Sequence, residues 1–222
     1  RSEALRLSAL RRAHARFSGE HEEFEAFKSA ARSWLPDYAL YAALRDRYPG
    51  DGFLAFPRAL LHRDHTALNE ANEQLAREVS YYEFEQWLFD RQWRALQEDA
   101  RHRGLKLIGD LPIFVSHDSA DVWAHQALFR LDAEGRPTHV SGVPPDAFSA
   151  TGQRWGTPVY RWRAHARSNF AYWVERIRCQ LSRFDLVRLD HFIGFARSWT
   201  IAAEEETAME GRWTPGPGDA LF

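Results

Sequence analysis

Cysteine and long hydrophobic runs are both scarce in this sequence. Cys179 is its single cysteine, which excludes an internal disulfide framework and is typical of a reducing compartment. No uncharged stretch reaches the roughly 18 residues that a membrane-spanning helix needs, and no charged-then-apolar signal segment opens the chain. From these absences we expect a cytoplasmic protein that does not bind membranes.

Net charge is scarce as well. Lys and Arg together number 29 and Asp and Glu number 31, which gives a formal net charge of −2. Because binding of nucleic acid relies on a strong positive field, this balance argues against a nucleic-acid partner. The sequence also lacks a glycine-rich phosphate loop, so neither a nucleotide nor any other cofactor is expected.

Aromatic residues, by contrast, are abundant. The 222 residues include 9 Trp, 15 Phe and 7 Tyr, and 45% of the chain is hydrophobic. A chain of this length and hydrophobicity can bury a sizeable core as one or two domains. Most of the rings are expected in that core, but exposed rings also line sugar-binding clefts, where they stack on the apolar side of pyranose rings.

Helical spacing of apolar residues predicts that residues 1–103 form a mainly helical subdomain. In the first helix, Phe24, Phe27 and Ala31 follow one another at three- and four-residue intervals. The predicted helices are residues 21–34, a segment that starts after Pro36 with Asp37 as its N-cap, and residues 66–103 with a break at Ser80. Gly104 is placed to end the last of them.

After residue 104 the pattern changes to strands and helices in alternation. The predicted order is a strand at 105–110, a loop over about 110–165, a helix at 169–181 and a strand at 184–190. This order is typical of βα units in a parallel sheet or barrel. In such folds functional residues lie at the C-terminal ends of the strands and on the loops that follow. The long loop is therefore expected to line a substrate cleft.

The second predicted strand carries charges inside an apolar run. The apolar residues of Leu186–Leu189 are typical of a strand that is buried on both faces. Arg188 and Asp190 lie two residues apart, so strand alternation places both side chains on one face. Burying such charges is costly unless they pair, which predicts either a structural ion pair or a catalytic site. Asp110, at the end of the first predicted strand, favours a site.

Several short motifs occur together, in order and at the spacing of one known family. They are Gly109–Val115, His117–Trp123, Gly142–Asp146, Thr151–Gly156 and Arg188–Phe192, preceded by Trp34–Leu40 and followed by Thr207-Ala208, Gly211–Trp213 and Gly216–Gly218. With them, the chain resembles the 4-α-glucanotransferases of the α-amylase clan, also called amylomaltases or disproportionating enzymes. The resemblance extends over nearly the whole chain.

This resemblance implies an α/β fold and a retaining transfer reaction. The fold would be part of a (β/α)₈ TIM barrel, with residues of about 1–103 as a helical insertion and residues 104–222 as a partial barrel. Members of the family cut an α-1,4-glucan and pass the glycosyl unit to the 4-hydroxyl of an acceptor through a covalent intermediate. By the matching motif, Asp190 is the nucleophile, and Arg188 orients it and keeps it ionised.

The resemblance also implies maltooligosaccharides and α-1,4-glucans as substrates. Asp110 is similar to the acid that contacts both substrate and arginine in this family. Asp146 and Trp155 lie on the loop that lines the glucan cleft, and His191 directly follows the nucleophile. These four residues are therefore predicted to bind substrate.

Two acids that the family carries are missing from this sequence. Retaining catalysis needs a second carboxyl group about 5 Å from the first. In the family this general acid/base, a Glu, and a third acid follow the motif that ends at Gly218, and neither occurs before Phe222. A plain barrel needs about 250 residues, so we expect an incomplete and inactive fragment. Smaller departures at Ala147, Thr157 and Ile193 affect loop contacts.

Two other functions remain open. A chain that lacks the acid/base could bind glucan without turning it over. Alternatively, four side chains with helical ligand spacing could hold a divalent metal in a barrel hydrolase, namely His117, Asp118, Asp121 and His125. The resemblance instead gives that stretch a structural and cleft-lining role, so no metal is expected. The acidic run Glu204–Glu206 is expected to be solvated, because adjacent carboxylates in one site would repel each other.

Overall fold

The computed structural model describes residues 2–19 and 21–222, which divide into two compact units. The first unit takes in the described parts of Arg1–Pro49 together with Phe56–Gly104, and the second takes in Gly50–Ala55 and Leu105–Phe222. The first is helical, and the second combines helices with two sheets. None of the helices in the described residues combines the length and the apolar character that a bilayer crossing requires.

Helices of very different lengths build the first unit. In the described residues they are α1 (Ser2–His14), α2 (Glu22–Ala30), α3 (Leu35–Arg47), α4 (Arg58–Leu61), α5 (His65–Gln74) and α6 (Ala76–His102). The 27 residues of α6 make a rod of about 40 Å. Helices α1, α2, α3 and α5 all pack against it, so α6 is the element that joins the unit.

An aromatic core holds α2 against α6. Phe24 and Phe27 of α2 lie in one buried cluster with Phe84 and Trp87 of α6, as the helical spacing predicts. The ring centroids of Phe24 and Trp87 are 5.5 Å apart, in an edge-to-face arrangement. Burying an apolar side chain of this size stabilises a fold by about 1.5–3 kcal/mol. This cluster is therefore a principal support of the helical unit.

Two predicted helix boundaries are wrong, namely the start of the helix near Pro36 and the break at Ser80. The first differs because a proline can occupy the first turn of a helix. Helix α3 begins at Leu35 and keeps the proline in its first turn, where a missing N–H costs no intrahelical bond. The break in the last long helical segment falls at Leu75. Ser80 lies inside α6, where its Oγ is 3.1 Å from Nε2 of His14. Gly104 follows the last helix as predicted, with a φ of +71°.

Two sheets with different pairing form the second unit. Its strands are β1 (Ile108–Leu111), β2 (His139–Val143), β3 (Gln153–Pro158), β4 (Leu186–Leu189), β5 (Arg197–Ala202) and β6 (Gly211–Pro215). Its helices are α7 (Ala120–Ala124), α8 (Trp162–Arg167) and α9 (Ala171–Arg183), with 3-10 turns at Gly52–Ala55, Gln126–Leu128, Phe192–Phe195 and Gly218–Ala220. Strands β1 and β4 pair in parallel, while the other sheet is antiparallel in the order β3-β2-β5-β6.

The segment predicted as one long loop contains regular structure. Elements β2, β3 and α7 lie between residues 110 and 165, and α8 begins at Trp162, so the prediction of a continuous loop is wrong. Strand β2 has five residues of mixed polarity and pairs with β5, where His139 lies opposite Ala202. A short strand gives a weak period-two signal, and a partner this remote in sequence is not visible in local pattern.

The described residues have mixed α/β structure, and the pairing of β1 with β4 confirms the parallel strands that the sequence predicts. Helix α9 packs on both strands, as the connecting helix of a βαβ unit does. The eight-stranded barrel itself is not formed by the part of the chain described, where β1 and β4 are the parallel pair and the remaining sheet is antiparallel.

Strand β4 is more exposed than its apolar sequence predicts. Leu186 exposes 52% of its surface, and its partner across the pair, Ile108, exposes 66%. Within the described residues β4 pairs with β1 alone, so its other edge lies open. The expectation of a strand buried on both faces is therefore wrong for these 222 residues.

Close packing at the start of β1 and β4 fixes how the two strands align. A Cβ atom on Gly109 would overlap the ring of Phe184, so the ring can approach the strand this closely only at a glycine. The backbone N–H of Leu107 donates to Oδ2 of Asp185 at 2.9 Å. The resulting register sets Asp110 directly beside Arg188.

Candidate active site

One arginine bridges two carboxylates at the ends of β1 and β4. Nη1 of Arg188 donates to Oδ2 of Asp110 at 2.9 Å, and Nη2 donates to Oδ1 of Asp190 in a short contact. The strand register brings Asp110 to the arginine. The backbone N–H of Asp190 donates to the carbonyl of Leu111 at 3.0 Å, which continues the pairing one residue beyond β4. The structure thus brings together three of the residues that the sequence predicts.

These three side chains are open to solvent, contrary to the burial predicted for Arg188 and Asp190. The exposed fraction is 61% for Arg188, 58% for Asp110 and 47% for Asp190. The cause is the open edge of β4, which leaves the charged ends of both strands uncovered in the described residues. Exposed ion pairs contribute only about 0–1 kcal/mol to stability. The bridge therefore positions the carboxylates more than it stabilises the fold.

His191 adopts a strained backbone conformation beside the bridge. Its φ of +50° lies in the left-handed region, which costs a residue with a side chain on the order of 1 kcal/mol. Among the described residues, its buried Nε2 atom has no hydrogen-bond partner. Burial lowers the pKa of His191, and the carboxylate of Asp190 opposes this shift. The ring is therefore neutral at pH 7, and its buried Nε2 keeps a hydrogen-bonding capacity that no described residue uses.

Trp155 supplies an aromatic surface next to His191. The two rings meet edge to face with centroids 4.8 Å apart, and 38% of Trp155 is exposed. Its Nε1 donates to Oε1 of Gln153 at 3.1 Å, which fixes the indole on β3. Phe114 is a second aromatic neighbour of the indole, with ring centroids 6.4 Å apart. An indole held in this way can stack against a sugar ring.

Asp146 forms a turn of its own in the loop after β2. Its Oδ1 accepts hydrogen bonds at 2.8 Å from the backbone N–H groups of Phe148 and Ser149, which makes a tight turn. Within the described residues no hydrogen bond or ion pair joins it to Arg188. The turn presents Phe148 almost wholly to solvent. Asp146 therefore shapes a loop that carries an exposed ring, and its predicted contact with substrate stays a prediction.

Arg176 supports the site, although the sequence analysis did not single it out. From α9, its Nη2 donates to the carbonyl of Pro112 at 2.9 Å and its Nη1 to the carbonyl of Ile113 at 3.2 Å. The hydroxyl of Tyr160 donates to the same Ile113 carbonyl at 2.7 Å. These bonds hold the chain directly after Asp110. The sequence signal that could have identified Arg176 is its position three residues after Trp173, on an aromatic face of the helix.

The proposed metal ligands take part in separate local contacts. Nε2 of His117 is 2.8 Å from the carbonyl of Gly135, and Oδ1 of Asp121 accepts from the hydroxyl of Tyr172 at 2.9 Å. In the part of the chain that the structure describes, no three His, Cys, Asp or Glu side chains are grouped to hold a metal ion. The metal-hydrolase alternative thus gains no support from the geometry.

Comparison with known proteins finds relatives over the whole chain. The 4-alpha-glucanotransferase of Thermus thermophilus is 51% identical over 203 residues, which are 91% of this chain and 41% of that protein. The 4-alpha-glucanotransferase of Synechocystis is 41% identical over 225 residues, covering 99% of this chain and 45% of the relative. Among solved structures, the amylomaltase from Streptococcus agalactiae in complex with acarbose superposes with a TM-score of 0.92. It is 35% identical and covers 99% of this chain and 45% of that chain.

The chain spans less than half the length of these relatives. A family model also matches this chain. The family model described as 4-alpha-glucanotransferase matches residues 1–222, which include the bridged carboxylates and the loop that carries Trp155. On this match over its full length, the chain belongs to the 4-alpha-glucanotransferase family.

Proposed function

We propose that the protein containing this chain is a 4-α-glucanotransferase that acts with retention of configuration. The observation that carries the proposal is the arginine bridge, in which Arg188 binds Asp110 and Asp190 at the ends of two adjacent strands. A retaining transfer needs one carboxylate held ionised and aimed at the sugar. The guanidinium of Arg188 meets that need, because it donates to both carboxylates and so holds Asp190 in a fixed position.

In the proposed reaction, Asp190 is the nucleophile. One of its carboxylate oxygens attacks C1 of the donor sugar, the bond from C1 to the leaving 4-oxygen breaks, and a general acid protonates that oxygen. The 4-hydroxyl of the acceptor then attacks C1 and gives its proton to the same group. The ester bond to Asp190 breaks, and the carboxylate is restored. Arg188 orients this carboxylate in both steps.

The general acid and a third carboxylate belong to the part of the protein outside these 222 residues in this proposal. Two carboxyl groups about 5 Å apart are needed for the retaining reaction. The Asp110 carboxylate is engaged by Arg188, which favours a role in binding and orientation over proton transfer. The 222-residue chain alone is then incomplete and inactive.

Maltooligosaccharides and α-1,4-glucans are the proposed substrates. The streptococcal amylomaltase that superposes on this chain was solved with acarbose, which supports a carbohydrate ligand here. Trp155 would stack on a sugar ring, and a sugar hydroxyl that reaches the buried, unpartnered Nε2 of His191 would bind to it. Asp110 and Asp146 are the proposed acidic contacts. No cofactor takes part.

The proposed whole protein is a TIM barrel to which this chain contributes a part. Strands β1 and β4 with α9 would be neighbouring barrel elements, since a parallel pair joined by a helix is the barrel's repeating unit. Residues 104–222 would then form a partial barrel, and residues of about 1–103 a helical insertion. The open edge of β4 supports further strands beside it.

The test is the Asp190→Asn variant of the full-length protein, assayed by disproportionation of maltotriose. An amide keeps the shape of the carboxylate but cannot form the ester, so we expect a rate loss of more than about 10⁴-fold. Oligosaccharide binding, measured by calorimetry, should stay within about tenfold. Asp51→Asn, which changes an exposed carboxyl elsewhere in the second unit, should leave the rate unchanged. Wild-type turnover by Asp190→Asn would overturn the assignment.

A further inference from the structure

The chain directly after β1 packs against the turn that carries His191. We call this stretch, residues 112–114, the support segment. A Cβ atom on Gly194 would overlap Cδ1 of Ile113 and lie too close to Cδ2 of His191. Both side chains therefore pack at this glycine, which lies in the 3-10 turn that follows the proposed nucleophile.

The support segment also contacts the exposed indole. The ring centroids of Phe114 and Trp155 are 6.4 Å apart, and Trp155 in turn meets the ring of His191 edge to face. The support segment thus packs against Trp155 directly and against His191 at Gly194. It is the part of the chain that touches both of the side chains that are proposed to bind sugar from below β3 and β4 alike, through Phe114 and Ile113.

Two side chains from other elements fix the backbone of the support segment. Nη2 of Arg176 donates to the carbonyl of Pro112, and Nη1 donates to the carbonyl of Ile113. The hydroxyl of Tyr160 donates to the Ile113 carbonyl at 2.7 Å, and its ring stacks on Phe114 with centroids 5.7 Å apart. Burial raises the pKa of Tyr160 above its ordinary value of 10, so the hydroxyl remains a donor near neutral pH.

Arg176 is itself held in place. Its guanidinium lies 4.6 Å from the centroid of the Trp173 ring, which is completely buried. Nη1 also donates to the hydroxyl oxygen of Tyr160 at 3.2 Å. A planar guanidinium has donors in fixed directions, so it can hold two successive carbonyl groups at once.

The arginine bridge depends on different contacts. Strands β1 and β4 pair over four residues, and the N–H of Asp190 donates to the carbonyl of Leu111. None of these bonds involves Arg176 or Tyr160. Loosening the support segment should therefore disturb the side chains that bind sugar more than it disturbs the bridged carboxylates.

We propose that Arg176 and Tyr160 are positioning residues, which hold the support segment and thereby set the places of Trp155 and His191 in the sugar site. This inference rests on the proposed function, because it takes Trp155 and His191 as sugar-binding groups. An interaction that binds substrate and transition state equally lowers KM without changing kcat. Loss of either positioning residue should therefore raise KM and leave kcat nearly unchanged.

Kinetics of the full-length protein with maltotriose test this separation. Tyr160→Phe keeps the buried ring and removes one donor, so KM should rise by about fivefold. Arg176→Met removes the donors to both carbonyls, so KM should rise by about tenfold or more, with kcat within about twofold in both variants. Arg178→Met, which changes an exposed arginine on the same helix, should leave both constants unchanged. A lower kcat with an unchanged KM, or wild-type kinetics in both variants, overturns the proposal.

Binding without turnover separates failure of this inference from failure of the proposed function. In an Asp190→Asn background, calorimetry gives the Kd for maltotriose. Adding Tyr160→Phe should raise this Kd by about fivefold, and an unchanged Kd overturns the inference alone. If neither Asp190→Asn nor the wild-type protein binds maltotriose, the proposed function fails and the inference fails with it.

A double-mutant cycle with Trp155 separates positioning from a role in the fold. When Trp155→Ala is also present, Tyr160→Phe should raise the Kd by about twofold at most, because one of the rings that Tyr160 positions is gone. The same factor with and without Trp155 overturns the proposal. So does a lower Tm of Tyr160→Phe together with an unchanged Kd, since Tyr160 would then serve the fold alone.

Discussion

The two units of this chain use their aromatic residues differently. In the helical unit, Phe24, Phe84 and Trp87 are buried in one cluster that holds helices together. In the second unit, Trp155 and Phe148 keep much of their surface exposed on β3 and on the turn before it. Burial of a ring stabilises a fold, whereas an exposed ring contributes little and remains available to a ligand. Changes in the first unit should therefore alter stability, and changes near the arginine bridge should alter activity.

The largest effect is expected at the arginine bridge. In the full-length protein, Arg188→Lys should lower kcat/KM for maltotriose by about 100-fold or more, because an ammonium group cannot bind Asp110 and Asp190 with fixed, separate donors. The matched control is Arg178→Lys, an exposed arginine paired with Glu175 on α9, which should stay within about twofold. Near-normal kinetics in Arg188→Lys would show that charge alone is enough.

In the helical unit the corresponding change is Trp87→Ala. Removing a buried indole from the aromatic cluster should lower the free energy of unfolding by about 3–5 kcal/mol, measured by urea denaturation. Phe89→Ala, which removes a half-exposed ring on the same helix, should cost less than about 1 kcal/mol. Equal costs for the two variants would mean that the cluster does not support this unit.

A smaller effect is expected where β1 meets β4. Gly109→Ala should destabilise the second unit by about 1–3 kcal/mol, because the new methyl group overlaps the ring of Phe184. Combining it with Phe184→Leu should recover part of this loss. If the double variant loses more stability than the two single variants lose together, the overlap is not the cause.

The most gradual effect concerns pH and His165, because it is spread over more than two pH units. Burial lowers the pKa of this residue to about 4, from an ordinary value of 6.5, and the hydrogen bond to Leu128 only partly opposes this. The unfolded chain therefore takes up a proton before the folded one does, so stability falls as the pH drops from 6.5 towards 4. The slope is at most about 1.4 kcal/mol per pH unit.

His165→Gln is the variant that isolates this dependence. Urea denaturation across the same pH range should give a shallower loss of stability than in the wild type, because glutamine does not titrate. An unchanged slope would contradict the assignment to His165.

The helices were predictable because their signal is local. Phe24 and Phe27 show a helical period within a few residues, and the structure buries both as that period predicts. Boundaries were harder, since Pro36 is equally suited to the first turn of a new helix and to the end of an old one. Deciding between the two requires the packing of the flanking helices, which a local window does not contain.

The site was partly predictable for a related reason. The sequence places Arg188 and Asp190 two residues apart in a strand, and the structure joins both to Asp110. Their exposure was not predictable, because it depends on which strands lie beside β4. Arg176 was missed because its carbonyl partners lie about 60 residues before it, on a segment with no charge of its own.

The arginine bridge also has a consequence for how activity is acquired. Arg188 and its partner on the other strand, Asp110, are 78 residues apart in the chain. Closing a loop of this length costs conformational entropy before any contact repays it, so such pairings form late compared with local helices. During refolding, helical circular dichroism should therefore recover before Arg188 aligns the carboxylates of Asp110 and Asp190. Recovery of activity would then report on long-range strand pairing, which a spectroscopic measure of helix content does not detect.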